Sequence, residues 1–203
     1  MVKKWQSVAS LLLFLGLSVT NVSVADSWRI LNVQQSGQET DVWCWAASGQ
    51  MIMRFLGKNV TQCTQAGNRN QVNNCCNAVT GCPTDNDPWG TGGCVYTGVP
   101  EFSKYGFATN QTANGTALSW NQLKAEIDNN RPITFGWYWV NGGGHMMIAT
   151  GYYEYTTGEK FVYIIDPLPV CEGTAKWVTY GEYVSSPNEH NHAYDIYNIK
   201  RTQ

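Results

Sequence analysis

Six of the seven cysteines in this 203-residue chain fall between positions 44 and 94, and the seventh stands alone at 171. That spacing constrains the fold more than any other feature, because cross-links in the middle of a chain dictate which segments must meet. The odd count favours one unpaired thiol. If Cys44 is free, Cys63, Cys75, Cys76, Cys82, Cys94 and Cys171 remain, and six cysteines allow fifteen sets of three disulfides. A bridge between the neighbours Cys75 and Cys76 would be strained, so each is expected to reach elsewhere. Zinc is a weak alternative, since no pair has C-x-x-C spacing and no histidine lies near the cluster. The stretch Asn68 to Gly98 carries four of the cysteines and is rich in Asn, Gly and Pro. A loop of that length inside one domain is normally functional or stapled, and it reads here as a disulfide-braced insertion.

A cysteine framework implies export, and the N-terminus agrees. Lys3 and Lys4 precede the apolar run Leu11–Leu17, and Ser23-Val24-Ala25 has the small residues of a signal-peptidase site. Residues 1–25 are read as a secretory signal peptide cleaved after Ala25, and residues 26–203 as a single domain. No later stretch is apolar enough to span a bilayer, so a secreted or periplasmic protein without a membrane anchor is expected. Removing Lys3 and Lys4 takes the formal charge from −2 to −4, because residues 1–25 contain no acid. A mildly acidic chain without basic runs argues against nucleic acid as a partner.

The stretch Gln38-Glu-Thr-Asp-Val-Trp-Cys44-Trp45-Ala-Ala47 opens a helical pattern in which Ala47, Met51, Ile52, Phe55 and Leu56 share one face before Gly57. Asp41 is the expected N-cap, which places Cys44 in the first turn. Unpaired N–H groups and the positive end of the helix dipole favour a thiolate there. Taken by itself, such a cysteine is more often a core residue or half of a disulfide. Gln38, six residues upstream, can turn its amide towards whatever Cys44 attacks.

A second helix is expected over 119–130, with capping-box spacing between Ser119 and Gln122 and an apolar face of Leu123 and Ile127. Beyond Pro132 the pattern changes to strands at about 133–140, 145–155, 160–166, 174–180 and 194–200. Asn141-Gly-Gly-Gly144 joins the first two as a hairpin, and Thr157-Gly158 joins the next two. Helices followed by an antiparallel sheet define an α+β fold. His145 opens one strand and Asp166 closes the next, so a meander would bring them together at one rim. A carboxylate there would hold one imidazole nitrogen protonated and leave the other to accept a thiol proton. Alone, Asp166-Pro167 would read as a turn and His145 as a hairpin residue. His190 and His192 lie in a polar loop and are expected at the surface.

Gln38, Cys44-Trp45-Ala-Ala47, His145 and Asp166, in that order, resemble the papain-like cysteine peptidases, and most closely their compact bacterial branch of staphopain-like and type III effector proteases. The likeness extends to the pair Cys75-Cys76, the helix at 119–130, Gly142-Gly-Gly-His145 with Gly151-Tyr152, and Asp166-Pro167. It implies a papain-like fold in which the helical part carrying the nucleophile packs against a C-terminal sheet. By the same resemblance Cys44 is the nucleophile, His145 the general base and acid, Asp166 the orienting residue, and Gln38 the oxyanion-hole donor. A monomeric endopeptidase acting on protein or peptide through an acyl-enzyme follows, with no cofactor and no metal. The chain departs from plant-type members, which have Asn in place of Asp166 and a further cysteine where Asp41 stands. Between Ala25 and Gln38 it has no room for a large inhibitory propeptide. Peptidoglycan amidases or endopeptidases and transglutaminase-like acyl transferases would use the same local chemistry. A non-catalytic binder on this fold would instead use Trp137, Tyr138 and Trp139 as a ligand platform.

Overall fold

The computed structural model describes residues 25–78, 82 and 94–202. The signal-peptide reading of residues 1–25 lies outside them except for Ala25, as do positions 79–81 and 83–93 of the insertion expected over Asn68–Gly98.

The central helix, α1 (Cys44–Phe55), has every residue from Trp45 to Met53 buried. A helix covered all round belongs between layers, and α1 lies between the sheet and α2 (Gln62–Asn70). Ser48 Oγ donates to the carbonyl of Met146 in the sheet at 3.2 Å. On the opposite side, a Cβ at Gly49 would come within 2.4 Å of Gln65 Oε1, so the absence of a side chain lets the two helices approach. The expected Asp41 cap is not formed. Trp43 is the N-cap residue and its side chain caps nothing, because a turn closed by Trp43 N–H to Thr40 O (3.2 Å) leaves Asp41 exposed ahead of the helix. α2 is followed by the single turn α3 (Cys75–Ala78).

The sheet is antiparallel. Its strands are β1 (Ser27–Ile30), β2 (Phe107–Gln111), β3 (Ile133–Trp139), β4 (Gly144–Glu154), β5 (Lys160–Asp166), β6 (Thr174–Thr179), β7 (Ser185–Ser186) and β8 (His190–Arg201). The main order is β2-β8-β3-β4-β5-β6. One edge of β4 is shared: β3 pairs with residues 144–149, and β1 pairs with residues 151–154 beyond it. The helix expected at 119–130 is α4 (Trp120–Asp128), entered through Ser119, whose N–H and Oγ both donate to Gln122 Oε1 at 3.0 and 2.7 Å. A last short helix, α5 (Tyr180–Val184), leads into β7. Four strands occur close to their expected positions, whereas β8 starts four residues earlier than expected.

That early start corrects the placement of two histidines. His190 and His192 are buried, at 2% and 3% exposure. Both lie on β8, paired with Trp139 and Trp137 of β3. His190 stacks on Trp137 at 3.6 Å and His192 on Phe135 at 6.1 Å. Apolar ring faces cover the imidazoles, while His190 Nε2 and His192 Nδ1 meet the carbonyls of Glu182 and Tyr183. Burial with a hydrogen-bond partner is what a polar ring requires to enter a core.

Candidate active site

Cys44 is the first residue of α1, half-buried, and the one free cysteine of the seven. The flanking tryptophans explain the local sequence. Trp43 Nε1 donates to Cys94 O at 3.0 Å and Trp45 Nε1 to Tyr96 O at 3.2 Å. Two indoles thus latch the segment after Cys94 beside the start of the helix, where Thr97, Gly98 and Val99 form one wall of a groove of about 530 Å³. Gly98 allows this approach, since a Cβ there would stand 2.7 Å from the Trp45 ring and from Arg69. Cys44 and His145 both line the groove, with Met146, Ala193, Tyr194 and Tyr138 among the residues that complete it.

His145 enters from the second residue of β4. Gly142 and Gly143, at φ of +93° and +83°, make the hairpin turn that precedes it, a conformation that excludes most side chains. Its Nε2 lies 2.6 Å from Asp166 Oδ1, at the end of β5. The expected meeting of strand start and strand end is therefore present. Leu168 N–H donates to the same carboxylate oxygen at 2.9 Å. With Nε2 committed to Asp166, Nδ1 is the ring nitrogen left for Cys44. Burial disfavours charge on the imidazole, but the hydrogen bonds to Asp166 and Cys44 outweigh it and raise the pKa from 6.5 to about 9. Burial likewise opposes charge on Asp166, and the hydrogen bond from His145 with the neighbouring positive charge still holds its carboxyl below the ordinary range. Trp139 lies nearly parallel to the imidazole at 6.2 Å. That contact was not legible in sequence, where Trp139 figured with Trp137 and Tyr138 as the ligand platform of a non-catalytic binder.

Gln38 is buried at 1% exposure. Its Nε2 donates to Thr40 O at 2.8 Å, and its Oε1 has no partner among the described residues. One amide N–H is thus spent on the turn leading to Cys44 and a second remains. Gln38 does not line the groove described above. The nearby Gln35 is exposed and its Nε2 donates to Glu172 O at 3.0 Å. No group of three His, Cys, Asp or Glu side chains able to hold a metal ion occurs among the described residues.

A helix bearing a cysteine, packed on an antiparallel sheet that bears a histidine hydrogen-bonded to an aspartate, is the α+β frame of the papain-like cysteine peptidases. Comparison of the sequence agrees: the model of the Peptidase_C39 like family matches residues 30–196, and the chain belongs to that family of cysteine peptidases. No curated protein matches it. Three disulfides, Cys63–Cys76, Cys75–Cys94 and Cys82–Cys171, fit an oxidising compartment. No helix among the described residues is long and apolar enough to cross a membrane.

Proposed function

We propose that the protein is an exported endopeptidase that hydrolyses peptide bonds through Cys44, His145 and Asp166. The observation that carries this reading is the placement of His145, whose Nε2 lies 2.6 Å from Asp166 while the ring shares the groove with Cys44. Cys44 Sγ attacks the scissile carbonyl and its proton resides on His145. The raised proton affinity of the imidazole, stabilised by Asp166, keeps that proton available for the leaving amine. Water, deprotonated by the now neutral His145, attacks the thioester, releases the acid and returns Cys44 to its starting state. The remaining N–H of Gln38, with the backbone N–H of Cys44, is assigned to the oxyanion, where a donor is typically worth about 3–4 kcal/mol.

Residues 1–25 are the segment removed on export, and 26–203 act as one monomeric domain without cofactor. The narrower likeness to staphopain-like and type III effector enzymes rests on the Trp43-Cys44-Trp45-Ala-Ala47 and Gly142-Gly-Gly-His145 motifs.

The test is hydrolysis of casein and of a quenched-fluorescence peptide library beside a digest of purified sacculi. Cleavage of the protein substrates is expected, and it should vanish in Cys44→Ala and His145→Ala while the circular dichroism spectrum persists. Release of muropeptides alone would replace the reading with a cell-wall amidase or endopeptidase. Near wild-type activity in His145→Ala would remove His145 from its role.

A further inference from the structure

The loop between β5 and β6, residues 167–173, touches two parts of the site at once. At its start, Leu168 N–H donates to Asp166 Oδ1 at 2.9 Å. Pro167 O accepts from Gln38 N–H at 2.9 Å, and Cys171 N–H donates back to Gln38 O at 2.8 Å. The backbone of Gln38 is thus clasped on both sides by one loop. The approach is close, because a Cβ on Gly37 would lie 2.4 Å from the backbone of Cys171 and Glu172. Cys171, itself at φ of +71°, is bonded to Cys82, which is exposed.

We propose that the Cys82–Cys171 disulfide is a positioning element of the active site: by tethering the 167–173 loop at Cys171 it holds the Asp166 carboxylate and the Gln38 backbone in register. The inference rests on the peptidase reading above and adds to it a second redox requirement. Cys44 must be a free thiol while Cys171 must be oxidised. The bridge is open to reduction through its exposed end. A dithiol supplies two electrons and two protons, the S–S bond breaks to give the thiols of Cys82 and Cys171, and the dithiol closes to its own disulfide. Reductant should therefore activate the enzyme at low concentration, by freeing any oxidised Cys44, and weaken it at higher concentration.

Two perturbations isolate the bridge. In the paired variant Cys82→Ser with Cys171→Ser, kcat should fall by about 10–100-fold with KM little changed, because the loss is one of alignment. The alkaline limb of Cys44 alkylation by iodoacetamide should also move to lower pH, as Asp166 loosens its hold on His145. The pair Cys63→Ser with Cys76→Ser, whose bridge joins α2 to α3, serves as control and should leave both readouts in place. Should the first pair fail to fold, wild-type protein titrated with dithiothreitol gives the same test, with amide exchange at Gln38 and Cys171 followed by mass spectrometry. Faster exchange there, in step with the loss of the bridge, supports the proposal. Unchanged exchange and an unchanged alkylation profile after its reduction overturn it. A shifted alkylation profile in a protein that cleaves no peptide would instead keep the positioning role and refute only the peptidase reading.

Discussion

Replacing Asp166 separates the two forces that set the protonation of His145. Burial of the imidazole by itself favours the neutral ring, yet the pKa stands at about 9 against an ordinary 6.5. The net preference for the charged form is on the order of 3 kcal/mol, at about 1.4 kcal/mol per decade of proton affinity. The imidazole side chain is 6% exposed, so solvent screening reduces that figure little. After burial, the hydrogen bond to Asp166 is the largest single contribution, ahead of that with Cys44. In Asp166→Ala both the bond and the charge go, burial meets less opposition, and the alkaline limb of kcat/KM should fall by about one to two pH units. Asp166→Asn keeps a hydrogen-bonding group and loses the charge, so its limb should lie between those of wild type and Ala. The assay is kcat/KM on one peptide from pH 5 to 10 in the three proteins, paired with the pH dependence of Cys44 alkylation. A limb in Asp166→Ala unmoved from that of wild type would refute the argument, because Asp166 would then contribute nothing to the charge on His145.

Further outcomes follow from the same geometry. Gln38→Ala should lower kcat by roughly 10²–10³ with little change in KM, whereas Gln35→Ala, an exposed residue bound to Glu172, should behave as wild type; the reverse pattern in steady-state kinetics would transfer the oxyanion role. The His145–Asp166 pair should stabilise the fold most between the ordinary pKa values of 3.8 and 6.5, weakening as pH rises through about 9 and again as pH falls below the carboxylate's range. Calorimetry of wild type against His145→Ala should show their difference shrinking at both ends, and a difference independent of pH would contradict it. Gly151→Ala places a Cβ 2.7 Å from Arg29 O and 3.1 Å from Ile30 Cα, so forcing β1 away should cost about 1–3 kcal/mol in urea unfolding; an unchanged midpoint would mean that β1 yields freely.

Local periodicity and chain order determined much of the molecule. The three- and four-residue spacing after Cys44 specified a helix because its apolar residues share one face, and Ser119 with Gln122 marked the start of another through hydrogen bonds contained within four residues. Strand alternation and the Asn141–Gly144 turn placed β3 and β4, and from that meander the meeting of His145 with Asp166 followed, since adjacent antiparallel strands must bring start beside end. The odd cysteine count pointed to one free thiol, and the spacing from Gln38 to the helix start pointed to Cys44, which is free. Three things only the tertiary structure decided. The disulfide partners were open because any of fifteen pairings satisfies the composition, and the choice is made by which loops the sheet and helices bring within bonding distance. The burial of His190 and His192 was hidden because a polar alternation looks like a loop until the rings of Phe135 and Trp137, on another strand, cover it. Asp41 looked like a cap for the same kind of reason. Capping depends on the backbone torsions of the turn, and here the Thr40–Trp43 hydrogen bond, not side-chain preference, determined where α1 begins.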